Sequence, residues 1–302
     1  MIQHKSAYIV MDVGGTFIKS GIMSADGVLM DESQQTVPID SNASKEEICN
    51  SLVSAVTKGI ALCRQFDLYP AGIGICMPGP FDYINGVSAM VHKFAAIKDI
   101  SLKDVIADAL DELDIPIVFG HDVNTQLYGE MCGGNAVGYS NACLVSLGTG
   151  LGFAMANDGA VLQNAKGSPL ISIWNLPYNG GILEDYASKR GFYNTWKLVT
   201  GNYPPEEMTV ADMGRLASEG DKTAIEVFNK VGGFIGKNIK SKLVEYHIEC
   251  LLFGGQISRS FQFMENAVRN ELSGIEGLTI TTVSDFSNAA FKGLVAMLKN
   301  KS

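Results

Sequence analysis

The sequence predicts an α/β protein made of two similar halves, each a mixed β-sheet flanked by helices. A pattern of three strands, helix, strand, helix and strand repeats after residue 140. Two glycine turns, at residues 12–16 and 146–150, lie about 135 positions apart, and each follows a short apolar strand. The 302 residues are 46% hydrophobic and 18% charged, which is typical of a globular chain long enough for two domains.

The elements of the first half follow from its hydrophobic periodicity. Val28 resumes a strand after an Asp-Gly turn, and Ser44 begins a capping box that opens a helix. Apolar residues then recur at helical spacing up to about Arg64, and a second helix places Leu113 on its apolar face and ends at Pro116. The predicted strands are 7–13, 17–23, 28–30, 72–77 and 117–119, and the predicted helices are 44–64 and 101–115.

The second half repeats this order with longer helices. The predicted strands are 142–147, 151–156, a short third strand, 249–254 and 278–283, and the predicted helices are 209–219, 221–246, 259–272 and 288–299. The segment 157–208 fits the repeat poorly and holds both tryptophans, so it is interpreted as an insertion near the second lobe.

Composition excludes several classes of protein. A net charge of −9 argues against an extended nucleic-acid surface. The first five residues lack the apolar run of a signal peptide, and no stretch approaches the roughly 18 apolar residues of a membrane span. The six cysteines show no Cys-x-x-Cys spacing and are interpreted as reduced, buried thiols. We therefore expect a cytoplasmic protein without nucleic-acid or membrane partners.

The first glycine turn is predicted to bind phosphate. Asp12 ends a strand and is followed by Gly14, Gly15 and Thr16. Glycine lets the backbone approach an anion, the turn amides and the threonine hydroxyl can donate to phosphate oxygens, and the carboxylate can hold a Mg²⁺-bound water. An ordinary glycine hairpin is the alternative. Lys19 is interpreted as a solvated surface lysine, with an approach to the phosphates as its alternative.

Two further glycine turns extend the pattern. Gly148, Thr149 and Gly150 follow a strand and open a hairpin, as the first turn does, so the two turns could grip one phosphate from two related domains. Gly254 and Gly255 end the strand after the long helix. They suit a flat ligand such as an adenosine, and a tight strand-to-helix turn is equally compatible.

Asp122 is the candidate base. An acidic residue at the carboxyl end of a strand, near the junction of two lobes, can accept a proton from a hydroxyl that attacks a γ-phosphate. Phosphoryl transfer demands mainly positioning and charge stabilisation, so one aspartate, Mg²⁺ and amide donors can suffice. The alternative role for Asp122 is a helix N-cap. The preceding His121 is a candidate substrate contact or a hydrogen-bonded junction residue.

Five motifs in order resemble those of the ROK family, which groups sugar kinases with sugar-responsive repressors. They cover most of the chain and comprise residues 12–16, 74–82, 122–124 with Glu130, 147–152 and 253–255. The resemblance implies the duplicated ribonuclease-H-like fold of the actin-like ATPases and sugar kinases, with two lobes and a cleft between them. We expect residues 1–119 and 288–302 in the N-terminal lobe and 120–287 in the C-terminal lobe.

The resemblance also implies transfer of the ATP γ-phosphate to a sugar hydroxyl with Mg²⁺, and a homodimer. In it Asp122 matches the catalytic base, and Asp12 is the expected Mg²⁺ contact through water. The phosphate loops match Gly14, Gly15, Thr16, Gly148, Thr149 and Gly150, and the adenosine side matches Gly254 and Gly255. Sugar contacts are expected from Pro78, Gly79, His121, Asn175 and Glu184.

The sugar pocket departs from the family pattern. Residues 166–178 contain neither the usual Glu-x-Gly-His segment nor the cysteine-rich zinc loop after it, so no structural zinc is expected. Asn175 or Trp174 is the candidate replacement for the missing sugar contacts. His121 stands where the family often has Asn, and residues 91–94 stand where a Pro-Asn pair is common.

The main hypothesis is an ATP- and Mg²⁺-dependent kinase that phosphorylates a hexose or a hexose derivative. A catalytically weak ATP- or sugar-binding regulatory protein is the alternative, because the sugar pocket is altered while the nucleotide turns are kept. A DNA-binding repressor is disfavoured, because the first glycine turn begins at residue 12 and the chain is acidic.

Overall fold

The structure, a computed structural model, describes residues 5–110 and 114–301. The chain forms two compact units, and each is described by itself. The first comprises Met1–Gly134, Gln163–Leu170 and Ser287–Ser302, and the second comprises Asn135–Leu162 and Ile171–Phe286. Among the described residues, no helix is long and apolar enough to cross a membrane.

The first unit contains seven described strands, four described α-helices and a 3₁₀ turn. They are β1 (Lys5–Val13), β2 (Phe17–Ser24), β3 (Gln35–Pro38), α1 (Lys45–Gln65), β4 (Leu68–Cys76), β5 (Phe81–Asp82), β6 (Val87–Ser88), the 3₁₀ turn Ala95–Ile97, α2 (Leu102–Asp108), β7 (Ile117–Gly120), α3 (Asp122–Gly133) and, from the end of the chain, α8 (Ala289–Lys299).

The main sheet of this unit has the strand order β3-β2-β1-β4-β7. The first three strands are antiparallel, whereas β4 and β7 run parallel to β1. The parallel register pairs Asp12 with Cys76 and Cys76 with Gly120. Neighbouring strands lie about 4.8 Å apart, so this row places the ends of β1 and β7 about 10 Å from each other at one edge of the sheet.

Helices cover both faces of this sheet, as the alternation along β1 requires. Ile9 and Met11 pack into the cluster that includes α1 and α2, whereas Tyr8 and Val10 pack with Leu294 of α8. The predicted capping box is confirmed, because Ser44 accepts from the Glu47 N–H at 3.3 Å and Glu47 accepts from the Ser44 N–H at 3.0 Å.

Close packing between α3 and α8 explains why α3 belongs to the first unit. A Cβ on Gly293 would overlap the backbone of Thr125, and a Cβ on Gly129 would overlap the backbone of Ala289. The glycines let the two helices touch along their backbones. The first unit therefore runs to Gly134, whereas the predicted lobe ended at residue 119.

The second unit contains the remaining described elements. They are β8 (Ala142–Leu147), β9 (Leu151–Asn157), β10 (Ala160–Val161), β11 (Pro177–Tyr178), β12 (Gly181–Ile182), the 3₁₀ turn Leu183–Asp185, α4 (Lys189–Thr200), α5 (Val210–Ser218), α6 (Lys222–Glu245), β13 (Cys250–Gly254), the 3₁₀ segment Gln256–Phe263, α7 (Glu265–Glu271) and β14 (Thr279–Thr282).

The sheet of the second unit repeats the topology of the first. Its order is β10-β9-β8-β13-β14, with β8 to β10 antiparallel and β13 and β14 parallel to β8. The apolar face of α6, including Phe228, Val231 and Ile235, packs on this sheet's core. The predicted duplication of an α/β unit is therefore confirmed.

Several predictions of individual elements were wrong in detail, including the helix predicted at 101–115, since α2 ends at Asp108. Residues 28–30 form only an isolated bridge at Leu29, because the Ser33 hydroxyl accepts the Ile22 N–H at 3.0 Å and closes a loop, and the third strand is β3. The helix predicted at 259–272 is broken at Ser260, where φ and ψ are not helical. The segment 157–208 contains the unpredicted helix α4. Leu113 lies outside the described residues.

Candidate functional site

The first glycine turn presents free hydrogen-bond donors at the end of β1. The Gly14 N–H donates to Phe17 O at 2.9 Å, and Gly15 O accepts from the Ser41 N–H at 3.0 Å. Among residues 5–110 and 114–301, no hydrogen bond uses the N–H of Gly15, the N–H of Thr16 or the Thr16 hydroxyl. Because Thr16 is exposed and Gly15 is partly exposed, these donors can serve an anion.

Asp12 lies at the start of this turn in an acidic environment. Burial raises the pKa of its carboxyl, the charge of Asp122 raises it further, and Lys19 lowers it in part, so that the pKa is above its usual value. Lys19 is the cross-strand partner of Asp12 in the β1–β2 hairpin. The structure therefore places Lys19 beside the turn, where its ammonium group acts on the charge of Asp12.

Asp122 begins α3, directly beyond the end of β7. Its Oδ1 accepts the Val123 N–H at 2.8 Å and lies 2.8 Å from Nδ1 of His121. Neighbouring protein atoms displace part of the water around Asp122 and so raise its pKa, but His121 and the Val123 N–H lower it by more, so the pKa is below its usual value. The side chain is 67% exposed, so an ionised carboxylate faces solvent. The N-cap position belongs to His121, without a side-chain cap.

Tyr83 and Gly79 surround His121. The rings of Tyr83 and His121 meet edge to face at 5.6 Å, and the Tyr83 hydroxyl donates to Met77 O at 3.0 Å. A Cβ on Gly79 would lie 3.4 Å from the Tyr83 hydroxyl and 3.9 Å from His121 Cδ2. The structure thus brings Gly79, with Pro78 before it, to His121 and Asp122. Tyr83 was missed by the sequence analysis.

A returning segment, residues 163–170, completes the first unit near α3. Tyr83 N–H donates to Lys166 O at 2.8 Å, and the Asn124 side chain donates to Gly167 O at 3.3 Å. Asn124 is buried, yet its Oδ1 has no hydrogen-bond partner in the described part of the chain. A buried amide oxygen without a protein partner is free to accept a hydrogen bond from a water or a hydroxyl group.

The second glycine turn has the same character in the second unit. The Gly148 N–H donates to Gly150 O at 3.1 Å, and Gly148 O accepts the Lys189 N–H at 2.8 Å. No hydrogen bond within the described residues uses the N–H groups of Thr149 and Gly150 or the Thr149 hydroxyl. The two turns thus share their free donors as well as their position in the duplicated sheet.

Glu184 supports this second turn. Its Oε2 accepts the Leu151 N–H at 3.0 Å, and its Oε1 lies 3.6 Å from Nη2 of Arg190. Arg190 also pairs with Asp185 at 2.6 Å. Asn175 is exposed and follows Trp174, whose carbonyl accepts the Glu184 N–H at 3.0 Å. Asn175 and Glu184 are therefore near in the chain's path, and both belong to the second unit.

The third glycine turn lies against the second one. Gly254 pairs with Ser146 across the parallel β8–β13 ladder, and the Gly254 carbonyl accepts the Ser258 hydroxyl at 2.6 Å. Gly255 has a φ of +78°, and a Cβ there would lie 2.7 Å from the carbonyl carbon of Leu147. The backbone after β13 therefore touches the strand that leads into Gly148.

An aromatic cluster holds the segment that departs from the family pattern. Tyr178, Tyr186 and Phe234 have ring centroids 5.2 to 5.8 Å apart, and the Tyr186 hydroxyl donates to Asn179 O at 3.1 Å.

Within the described residues, no group of three or more His, Cys, Asp or Glu could hold a metal ion. None of the six cysteines, all of which are described, forms a disulfide; four are buried, Cys49 is half-buried and Cys132 is exposed, contrary to the prediction that all are buried.

Two ribonuclease-H-like units with glycine turns at their strand ends define the class of the actin-like ATPases and sugar kinases. The model of the ROK family matches residues 8–169 and 177–286, so the chain belongs to the ROK family. The unmatched residues 170–176 lie within residues 166–178, the segment that departs from the family's sequence pattern.

Characterised relatives include both enzymes and a regulator. A glucokinase from Halalkalibacterium halodurans is 24% identical over 275 residues, covering 84% of this chain and 81% of the relative. The xylose repressor of Bacillus subtilis is 22% identical over 279 residues, covering 89% and 69%. A ROK family glucokinase from Streptomyces griseus, solved with glucose and AMPPNP, superposes with a TM-score of 0.79 at 18% identity and covers 98% of this chain and 100% of its own. These likenesses confirm the fold class predicted from the sequence.

Proposed function

We propose that this protein is an ATP- and Mg²⁺-dependent kinase that transfers the γ-phosphate to a hydroxyl of a hexose or hexose derivative. The observation that carries the proposal is Asp122, an ionised and exposed carboxylate at the same sheet edge as the donor-rich turn that follows Asp12. A base beside a phosphate-binding turn is the arrangement that phosphoryl transfer to an alcohol requires.

The nucleotide is assigned to the glycine turns. The free N–H groups of Gly15 and Thr16 in the first unit, and of Thr149 and Gly150 in the second, suit phosphate oxygens. The backbone at Gly254–Gly255 lies beside the second turn and suits the adenosine. The glucokinase from Streptomyces griseus was solved with the ATP analogue AMPPNP, which supports ATP as the donor.

Mg²⁺ fits the carboxylates of the first unit. The negative charge of Asp122 contributes to raising the pKa of Asp12, and a cation beside Asp12 would relieve that repulsion. Mg²⁺ keeps most of its waters and takes few protein ligands, so Asp12 through a water would hold it. The ion supplies charge neutralisation for the phosphate oxygens.

Asp122 is assigned as the base that accepts the proton of the sugar hydroxyl. Its lowered pKa keeps the carboxylate ionised at neutral pH, and His121 beside it restrains its orientation. The unpartnered Oδ1 of the buried Asn124 marks a nearby position for a hydroxyl or a water. The proposed sugar contacts of the first unit are Pro78, Gly79 and His121. Those of the second unit are Asn175 and Glu184.

The test is a coupled assay of ADP release with ATP, Mg²⁺ and a panel of hexoses and amino sugars. At least one sugar should stimulate release, and Asp122→Asn should lower kcat by about 10²–10⁴-fold while ATP and the sugar still bind. Asp108→Asn removes an exposed carboxylate of α2 and is the control, with wild-type turnover expected. An Asp122→Asn variant with full turnover would refute the assignment.

A catalytically weak ATP- or sugar-binding regulatory protein is the second candidate. It is favoured by residues 170–176, where the family match is interrupted, and by the likeness to a xylose repressor. Thermal shift with AMPPNP and the same sugar panel separates the two functions, because a ligand that binds the native state raises the melting temperature. Binding of both ligands without stimulated ADP release would favour the regulator. The homodimer and the cytoplasmic location stay predictions, and light scattering tests the first.

A further inference from the structure

Lys93 lies over the first glycine turn, although the sequence analysis gave it no role. A Cβ built on Gly15 would lie 3.9 Å from both Cδ and Nζ of Lys93 and 3.5 Å from Oγ of Ser41. The ammonium group is therefore within reach of a ligand that contacts the Gly15 backbone. Lys93 belongs to the same unit as Asp12, Lys19 and the turn itself.

The backbone around Lys93 is held firmly to the turn. Ser41 donates its N–H to Gly15 O at 3.0 Å, and Phe94 donates its N–H to Ser41 O at 2.8 Å. Phe94 is fully buried and has a φ of +55°, which is rare for a bulky residue and persists only where the surroundings enforce it. This enforced bend presents the neighbouring Lys93 to Gly15.

The charge of Lys93 is not used within the unit. No ion pair or hydrogen bond of its ammonium group occurs in the part of the chain that the structure describes. The adjacent N–H groups of Gly15 and Thr16 and the Thr16 hydroxyl are free as well. Lys19 is the cross-strand partner of Asp12, and its charge lowers the pKa of that carboxyl in part. The ammonium group of Lys93 and three free donors thus lie at one short turn.

We propose that Lys93 and the free donors of Gly15 and Thr16 form one oxyanion site for a phosphate group. The inference rests on the proposed function and adds Lys93 as a residue that favours negatively charged ligands over neutral ones. The phosphate could come from the nucleotide or from a sugar that already carries a phosphate, since both offer the same oxygens. Lys93 binds these oxygens as a point charge, with the turn amides fixing their positions.

Isothermal titration of the full chain tests the site without any turnover. The probes are inorganic tripolyphosphate, glucose 6-phosphate and neutral glucose, and the variants are Lys93→Met and Lys93→Arg. Lys98→Met is the matched control, because Lys98 is an exposed lysine of the same loop. Removing one charged hydrogen bond should weaken binding of the phosphate-bearing probe by about 10- to 100-fold in Lys93→Met.

The outcomes separate the two sources and the two proposals. Weakening with tripolyphosphate assigns the nucleotide phosphate to Lys93, and weakening with glucose 6-phosphate alone assigns a phosphorylated sugar. Lys93→Arg should retain most of the binding, and glucose binding should stay unchanged. Equal phosphate binding by Lys93→Met and wild type, or an equal loss in Lys98→Met, would overturn the inference. An inactive chain that still binds phosphate through Lys93 would contradict the kinase proposal alone.

Discussion

Gly255→Ala should destabilise the second unit more than an alanine at a glycine whose added Cβ would meet no neighbouring atom. Gly255 has φ +78° and ψ 162°, a conformation that residues with a side chain rarely adopt. The added Cβ of Gly255→Ala would lie 2.7 Å from the carbonyl carbon and 2.8 Å from the nitrogen of Leu147. Both atoms are backbone of β8, which is held by β9 and β13 on its two sides, so neither can shift alone.

The expected loss follows from two effects. Forcing alanine into this conformation costs about 1–3 kcal/mol. Overpacking against a fixed neighbour costs about another 1–3 kcal/mol. The sum is about 2–6 kcal/mol, a large share of the roughly 5–15 kcal/mol that stabilises a typical native protein. Gly233→Ala in α6 is the control: a Cβ there meets nothing within 4 Å, and helix propensity predicts a gain of about 1 kcal/mol.

Urea denaturation followed by tryptophan fluorescence measures this difference. Both tryptophans, Trp174 and Trp196, belong to the second unit, so the signal reports the unit in which both substitutions lie. We expect a lower midpoint for Gly255→Ala, a slightly higher one for Gly233→Ala, and weaker AMPPNP binding for Gly255→Ala only. A Gly255→Ala protein as stable as wild type would refute the packing argument.

Three further predictions concern charged groups of the two units. Asp12→Asn should stabilise the first unit at neutral pH, because a raised native pKa means that ionised Asp12 costs stability as pH rises. The urea midpoint of the first unit, followed by circular dichroism because both tryptophans lie in the second unit, should converge with wild type in acid, and kinase turnover should fall. Because the pKa of Asp122 is lowered from its usual value, kcat/KM should show no acidic limb from Asp122 between about pH 5 and 8. Glu184→Ala should lower the free energy of unfolding of the second unit by about 1–3 kcal/mol, seen as a lower urea midpoint, because the Leu151 N–H loses its acceptor. Glu184→Gln should lower it by less.

Much of the fold could be predicted because its core strands are short, apolar and punctuated by glycine or proline. The predicted helix 221–246 is one residue longer than α6 at each end. The predicted strand 249–254 begins one residue before β13 and ends at the same residue. The strand at 28–30 failed because the Ser33 hydroxyl, and not a neighbouring strand, takes the Ile22 N–H. That choice depends on a side chain 11 residues away, which periodicity does not report.

The part of the candidate site that could be predicted from the sequence consists of residues that stand directly at the ends of strands. Asp12 and Asp122 stand at the ends of β1 and β7, and the row through Cys76 brings those ends together. Lys93 and the contact made by Asn124 were missed for the opposite reason. Asn124 meets Gly167 across 43 residues, and Lys93 reaches Gly15 through two backbone bonds to Ser41. Such contacts exist only after the chain has returned to the same place.

The first unit is built from three separate stretches of the chain, and this affects how the protein folds while it is being synthesised. Its helix α8 is drawn from residues after 287, and its segment 163–170 interrupts the second unit. A nascent chain leaving the ribosome can therefore complete the second unit while Tyr8, Val10 and Val118 of the first still lack their cover of Leu294 and Leu298. That uncovered sheet face is what a chaperone would meet, and a chain stalled before residue 289 should engage one.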